Sequence, residues 1–224
     1  MCGPEDANIV KKAAIEAYNG KGGKCGTTSV ERIPRAIGLA VENDGVFIPP
    51  YDDSYIIAGQ GTLGLEILEQ VPNVDIIVVP VGGGGLLSGI LAAVKQLNPN
   101  VKVIGVEPYT ANDTYLSLQA GAITAIPPTK TIADGLRTSQ PGDLTFPVLT
   151  RYLDDLVLVT EEEIKEAFGF LLERTKQIVE PSSAVTIAAI LSGKLNVKGK
   201  KIVAVLSGGN VDLRQLIDIL PESN

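Results

Sequence analysis

Residues 78–90 read VVPVGGGGLLSGI: an apolar run, four consecutive glycines, then apolar and small residues at helical spacing. Ordering glycine inside an element costs roughly 0.5–1 kcal/mol relative to alanine. Four together mark a place where something must approach the main chain closely. A strand that runs through glycines into a helix suits the carboxyl edge of an open α/β sheet, where ligands bind. Free N–H groups converge there with the positive end of a helix and favour an anion. Gly82, Gly83, Gly84 and Gly85 read as a phosphate cup. The alternative is a tight strand-to-helix turn without a ligand.

The same alternation continues along the chain. Apolar strand patterns at 74–81, 101–107, 154–160 and 200–210 are separated by helical patterns at 58–70, 85–96, 110–121, 161–177 and 182–192. Continuous apolar strands between helices imply an α/β fold, a doubly wound and mostly parallel sheet covered on both faces. Thr160 reads as the cap of the helix that begins EEE, and a short helix is expected over 211–220. A second glycine pair, Gly208–Gly209, closes the last strand. The first 50 residues differ. Helical patterns at 7–18 and 29–43 flank a glycine-rich loop at 19–28, with Ser29 as N-cap, Glu31 in the first turn and Pro34 near the start. A short strand stopped by two prolines is expected within 45–53.

Composition excludes several functions. A net charge of −7 argues against nucleic acid and anionic membranes as partners. No apolar run approaches the ~20 residues of a membrane span. The opening MCGPEDANIV lacks the pattern of a signal peptide, so a cytoplasmic setting is expected. With no histidine, a Ser-His-Asp triad and a histidine-ligated zinc are excluded, and acid–base work falls to Lys, Asp, Glu, Ser, Tyr or Cys. Cys2 and Cys25 are too few for a disulfide framework and are expected as free thiols. No Lys-Ser/Thr follows the glycines, which removes a P-loop, and their spacing is not that of a nicotinamide-binding Rossmann turn.

Five segments in order, VPVGGGGLLSGI, GVEPYTAND, TIADGL, IVEPSSAV and VLSGGNVDL, together with the lead-in FIPPYDDSYIIAGQGTLGLEIL, carry a more specific signal. The chain resembles the threonine dehydratases and serine racemases, of the tryptophan-synthase-β-like (fold-type-II) pyridoxal-phosphate enzymes, from about Pro4 to Leu220. The resemblance implies that the tetraglycine and Leu86 hold the cofactor phosphate through N–H groups, and that Ser207 hydrogen-bonds the pyridine nitrogen. Gly135 and Glu180 would line the cofactor face and substrate pocket. From the residues alone, Ser207 could instead cap the last helix, and Glu180 could be a solvated carboxylate at a helix start. In the family a divalent cation is held at the positions of Glu107, the Ala111 carbonyl and Asp113, a set suited to Mg²⁺ or Ca²⁺. An ordinary helix N-terminal turn is the alternative reading of those three.

The resemblance also implies a smaller substrate-side domain, of which 1–50 is a remnant, and a cofactor-binding domain over 51–224. The family's Ser-Phe-Lys-x-Arg-Gly-type segment, which supplies the Schiff-base lysine, and its Ser-Gly-Asn-x-Gly loop have no counterpart in these residues. No catalytic residue is therefore identified, and Lys11 and Lys12 read as solvated. The family's apolar strand is replaced at 19–26 by NGKGGKCG, so a strand of the small domain is expected to be lost. Two functions stand, beside a weaker third reading as a structural remnant with no ligand. The chain belongs to a serine or threonine ammonia-lyase or a serine racemase, acting on a small hydroxy amino acid and inactive alone. Alternatively, it binds pyridoxal phosphate or a small phosphate without chemistry. A homo-oligomer or a complementing N-terminal segment is the expected partner, and Tyr51 is a candidate for tuning elimination against racemisation.

Overall fold

The structure is a computed structural model that describes residues 2–3, 9–25 and 29–220. The chain divides into two compact units between Pro49 and Pro50. The first contains β1 (Cys2–Gly3), α1 (Ile9–Ala17), β2 (Gly23–Lys24) and α2 (Ser29–Glu42). β1 and β2 pair in parallel, Cys2 opposite Gly23 and Gly3 opposite Lys24. The stretch read as a loop at 19–28, where a strand was expected to be lost, thus carries a strand. Two residues of main-chain pairing need no apolar side chain, so composition does not signal it.

α2 begins at Ser29 itself, making Ser29 the first helical residue rather than the N-cap; the side chains of Ser29 and Glu31 lie outside the described residues. Pro34 is the sixth residue of α2, and the helix continues through it to Glu42. Residues 45–49 form no strand; Val46 and Ile48 are 88% and 72% exposed. Pro49 and Pro50 have no N–H to give a ladder, and the segment remains unpaired among the described residues. Lys12 lies 3.9 Å from Glu16 on the surface of α1, and the Lys11 side chain is outside the described residues. Cys25 forms no disulfide among the described residues.

The second unit contains α3 (Ser54–Gln70), β3 (Ile76–Pro80), α4 (Gly85–Leu97), β4 (Lys102–Pro108), α5 (Asp113–Ala120), α6 (Thr145–Tyr152), β5 (Asp155–Val159), α7 (Glu161–Thr175), α8 (Pro181–Leu191), β6 (Ile202–Ala204) and α9 (Leu216–Ile219). Its four strands run parallel in the order β5-β4-β3-β6. Successive strand side chains face opposite sides. Ile77 and Val79 accordingly pack with Leu87, Ile90, Leu91 and Val94 of α4, while Ile76 and Val78 pack with Phe168 of α7 and Val185 and Ala189 of α8. Each of the Val, Leu, Ile and Phe side chains among these contributes roughly 1.5–3 kcal/mol by leaving water. Both faces are filled, and the doubly wound sheet is realised.

α3 and α4 touch main chain to main chain. A Cβ on Gly61 would lie 3.1 Å from the Gly89 carbonyl, and one on Gly64 would lie 3.2 Å from the Ala93 Cβ. α7 opens with a capping box: the Glu163 N–H donates to Thr160 Oγ1 at 3.2 Å, and the Thr160 N–H donates to Glu163 Oε2 at 2.8 Å. The helix expected over 211–220 is instead a 3₁₀ turn, Leu213–Gln215, followed by the single turn of α9. Asp212 starts the tighter turn by accepting the Arg214 N–H at 3.0 Å.

Candidate functional site

β3 and β6 are neighbours, with Val78 opposite Ala204 and the Val205 N–H donating to the Val78 carbonyl at 2.9 Å. The tetraglycine and the Ser207–Gly209 turn therefore leave the sheet at the carboxyl ends of adjacent strands. β4, on the other side of β3, brings Glu107 to the same edge. Parallel register alone collects these segments.

Among the described residues, the N–H groups of Gly82, Gly83, Gly84, Gly85 and Leu86 donate to no acceptor. The first bond of α4 is from the Ser88 N–H to the Gly84 carbonyl at 2.8 Å. Gly83, Gly84 and Gly85 are buried, and Leu86 is half-buried. A row of enclosed donors at a helix N-terminus is an arrangement that can hold an anion.

What bars side chains from the loop is protein on its other faces. A Cβ on Gly83 would lie well inside van der Waals contact of the Cδ2, Cε1 and Cε2 atoms of the Tyr51 ring. One on Gly85 would lie 2.9 Å from the Tyr51 Cβ and 3.0 Å from its Cα. Gly84 has φ +91°, a left-handed value, and a Cβ there would lie 2.9 Å from Thr145 Oγ1. The close approach implied by four glycines is made by Tyr51 and Thr145, two residues outside the five segments.

The neighbouring residues of the lead-in hold other elements. Asp53 caps α3, accepting the N–H groups of Tyr55 at 2.8 Å and Ile56 at 3.1 Å. Asp52 accepts the N–H groups of Asp143 at 3.0 Å, Leu144 at 2.8 Å and Thr145 at 3.3 Å, and so starts α6.

A second chain of contacts joins four of the five segments. A Cβ on Gly82 would lie 3.5 Å from the Gly135 carbonyl, and one on Gly135 would lie 2.8 Å from Ser182 Oγ and 3.4 Å from Glu180 Oε1. A Cβ on Gly208 would lie 2.8 Å from the same Glu180 oxygen. Main-chain bonds run in parallel: Gly135 N–H to Ser182 Oγ at 2.9 Å, Glu180 N–H to the Gly208 carbonyl at 3.0 Å, and Gly208 N–H to Ser183 Oγ at 2.8 Å. Gly82, Gly135, Glu180 and Gly208 thus form one contiguous line. Glu180 is half-buried at the N-cap position of α8, without a side-chain cap bond, and Ser207 is exposed.

Glu107, Ala111 and Asp113 are all fully buried. Glu107 accepts the N–H groups of Thr114 at 3.1 Å and Tyr115 at 2.9 Å, standing in as the cap of α5. Burial first, and then the nearby Asp113 charge, push its carboxyl up to about 8. Burial raises Asp113 to about 6, although the Thr138 hydroxyl lies 3.2 Å from both of its oxygens. The Thr138 methyl would be 3.6 Å from a Cβ on Gly82, which sets this acidic pair beside the glycine loop. Two enclosed carboxylates and a carbonyl form an all-oxygen set compatible with a hard cation. Among the described residues no group of three or more His, Cys, Asp or Glu is placed to hold a metal, so any such site draws on main-chain oxygen as well. No helix among them is long and apolar enough to cross a membrane. A groove of about 220 Å³ lined by Tyr115, Leu149, Thr150 and Leu156 shares no residue with the loop.

A family model described as pyridoxal-phosphate dependent enzyme matches residues 2–208. The chain is 46% identical over 190 residues to an L-threonine ammonia-lyase of Thermotoga maritima, covering 85% of this chain and 47% of that protein. It is 48% identical over 221 residues to a serine racemase of Dictyostelium discoideum, covering 97% and 68%. The solved structure of maize serine racemase superposes with a TM-score of 0.90 at 39% identity, covering 97% of this chain and 67% of that one. The chain spans between about half and two thirds of the length of these relatives.

Proposed function

The chain belongs to the pyridoxal-phosphate dependent enzyme family, and from that premise we propose that it serves a serine or threonine ammonia-lyase or serine racemase reaction. The observation that carries this reading is the row of enclosed, unpaired N–H groups at Gly82–Leu86. These donors suit a phosphate dianion, and the residues present fit the cofactor. When bound, the cofactor supplies an electron-withdrawing ring that acidifies the substrate Cα–H.

The chain's own residues then have distinct tasks. Gly82–Gly85 and Leu86 bind the phosphate. Ser207 meets the ring nitrogen with a neutral hydroxyl, which leaves that nitrogen largely unprotonated. Gly135 and Glu180 border the ring face and the substrate pocket. Glu107, the Ala111 carbonyl and Asp113 hold Mg²⁺ or Ca²⁺, which neutralises the two buried carboxylates. Residues 51–224 are the cofactor-binding domain and 1–50 belong to the smaller domain. We assign a cytoplasmic setting and a homo-oligomer or a complementing segment as partner.

The test is a titration with pyridoxal phosphate followed by absorbance, then borohydride reduction and peptide mapping. Saturable binding at least about tenfold tighter than that of pyridoxal is expected, since a charge-assisted phosphate site contributes more than 1.4 kcal/mol. Equal affinity for the two would overturn the assignment of the glycine loop. Saturable binding with no lysine adduct would favour binding without chemistry.

A further inference from the structure

The carbonyl of Gly83 is held from outside the loop. The Thr145 hydroxyl donates to it at 2.7 Å and the Gly142 N–H at 3.3 Å. The same Gly142 N–H also donates to Thr145 Oγ1 at 2.9 Å, fixing the hydroxyl as an acceptor there. Its single proton has one other acceptor within reach, the Gly142 carbonyl at 3.3 Å, so the shorter bond to Gly83 prevails. Thr145 is fully buried. Three N–H groups bound to Asp52 hold the turn that presents it.

A trans peptide is planar, with C=O and N–H pointing in opposite directions. No cis bond occurs among the described residues. A Gly83 carbonyl pinned towards Thr145 therefore aims the Gly84 N–H away from Thr145. Gly84 is the residue with φ +91° at the N-cap of α4, and its N–H is among the donors without an acceptor. With no side chain at 83 or 84, neither residue itself restricts rotation of the peptide between them.

We infer that Thr145 is a positioning residue of the anion cup: its hydroxyl sets the Gly83–Gly84 peptide so that the Gly84 N–H faces the cofactor phosphate. This rests on the phosphate reading of the loop proposed above. A hydroxyl 61 residues along the chain from Gly84 thereby becomes part of the recognition of a phosphate ester without touching it.

The experiment compares the full chain with Thr145→Val, Thr145→Ala and Thr145→Ser. Each is titrated with pyridoxal phosphate, inorganic phosphate and pyridoxal below its melting temperature, and the ³¹P resonance of the bound ligand is recorded. Loss of one aimed donor is expected to weaken both phosphate ligands about tenfold in the Val and Ala variants. Pyridoxal affinity should be unchanged, and Thr145→Ser should return phosphate affinity to within about twofold of the parent with the parent's ³¹P shift. Should Thr145→Val not fold, Thr145→Ala, which leaves space rather than filling it, decides the matter together with Thr145→Ser. Parent-like phosphate affinity in Val or Ala, or an equal loss for pyridoxal, overturns the role of Thr145. A parent chain that binds neither phosphate ligand overturns the cup reading itself, and that result is distinct from either.

Discussion

The Tyr51 ring packs so closely on Gly83 that a Cβ on the glycine would lie well inside van der Waals contact of three of its ring carbons. Gly83→Ala must therefore displace the ring. A destabilisation of roughly 1–3 kcal/mol is expected, the usual range for overpacking, and is measurable by urea denaturation. Adding Tyr51→Ala should recover part of it, because the two residues compete for the same space. Strictly additive losses in the double mutant would contradict this.

Asp52 acts at a distance by holding three successive N–H groups of the 143–145 turn. Asp52→Ala leaves the start of α6 without its acceptor and should cost about 1–2 kcal/mol, as for a lost helix cap. Asp52→Asn keeps an acceptor oxygen and should cost less. If thermal denaturation finds the two substitutions equally neutral, α6 does not depend on this carboxylate.

Ser207 offers a cleaner separation of folding from binding. Its side chain is exposed and makes no hydrogen bond among the described residues. Ser207→Ala should leave stability within about 0.5 kcal/mol of the parent. Pyridoxal phosphate should bind more weakly, with inorganic phosphate unaffected. Weakening of inorganic phosphate to the same degree would place Ser207 in the anion cup instead of at the ring.

The acidic pair gives the chain a pH signature. In the unfolded chain Glu107 loses its proton near its ordinary value of 4.5, whereas in the folded chain it keeps it up to about 8. Between these values the folded state binds more protons. The contribution to stability is thus full below 4.5 and is lost as pH rises through 8. Asp113 adds to the trend between its ordinary 3.8 and about 6. Melting curves in a chelator should show midpoints falling from pH 5 to pH 9, with Glu107→Gln flattening the slope. Mg²⁺ or Ca²⁺ should raise the midpoint more at the alkaline end. A profile that rises with pH would refute the burial assigned to this pair.

Why some of this could be read from the chain, and some could not, follows from the range of the interactions. β3 is enclosed on both faces, so it appears as an unbroken apolar run, and the glycines after it are contiguous in sequence. The cap on α7 is local, from Thr160 to Glu163, and it was legible for that reason. α6 was not. It spans only eight residues with Pro147 inside, and the carboxylate that starts it is 91 to 93 residues away. Thr145 and Gly83 are separated by 62 residues, so no window of sequence contains their bond. β6 shrank to three residues because it pairs with β3 only over Ile76–Val78. The pairing of β1 with β2 rests on two main-chain rungs that leave no mark in side-chain pattern.

Residues 51, 52 and 53 are committed in turn to the glycine loop, the start of α6 and the start of α3. Three consecutive positions with three separate destinations make this segment a fixed-length ruler. Many side-chain changes along it would disturb one destination each, whereas inserting or deleting a single residue would misalign all three together.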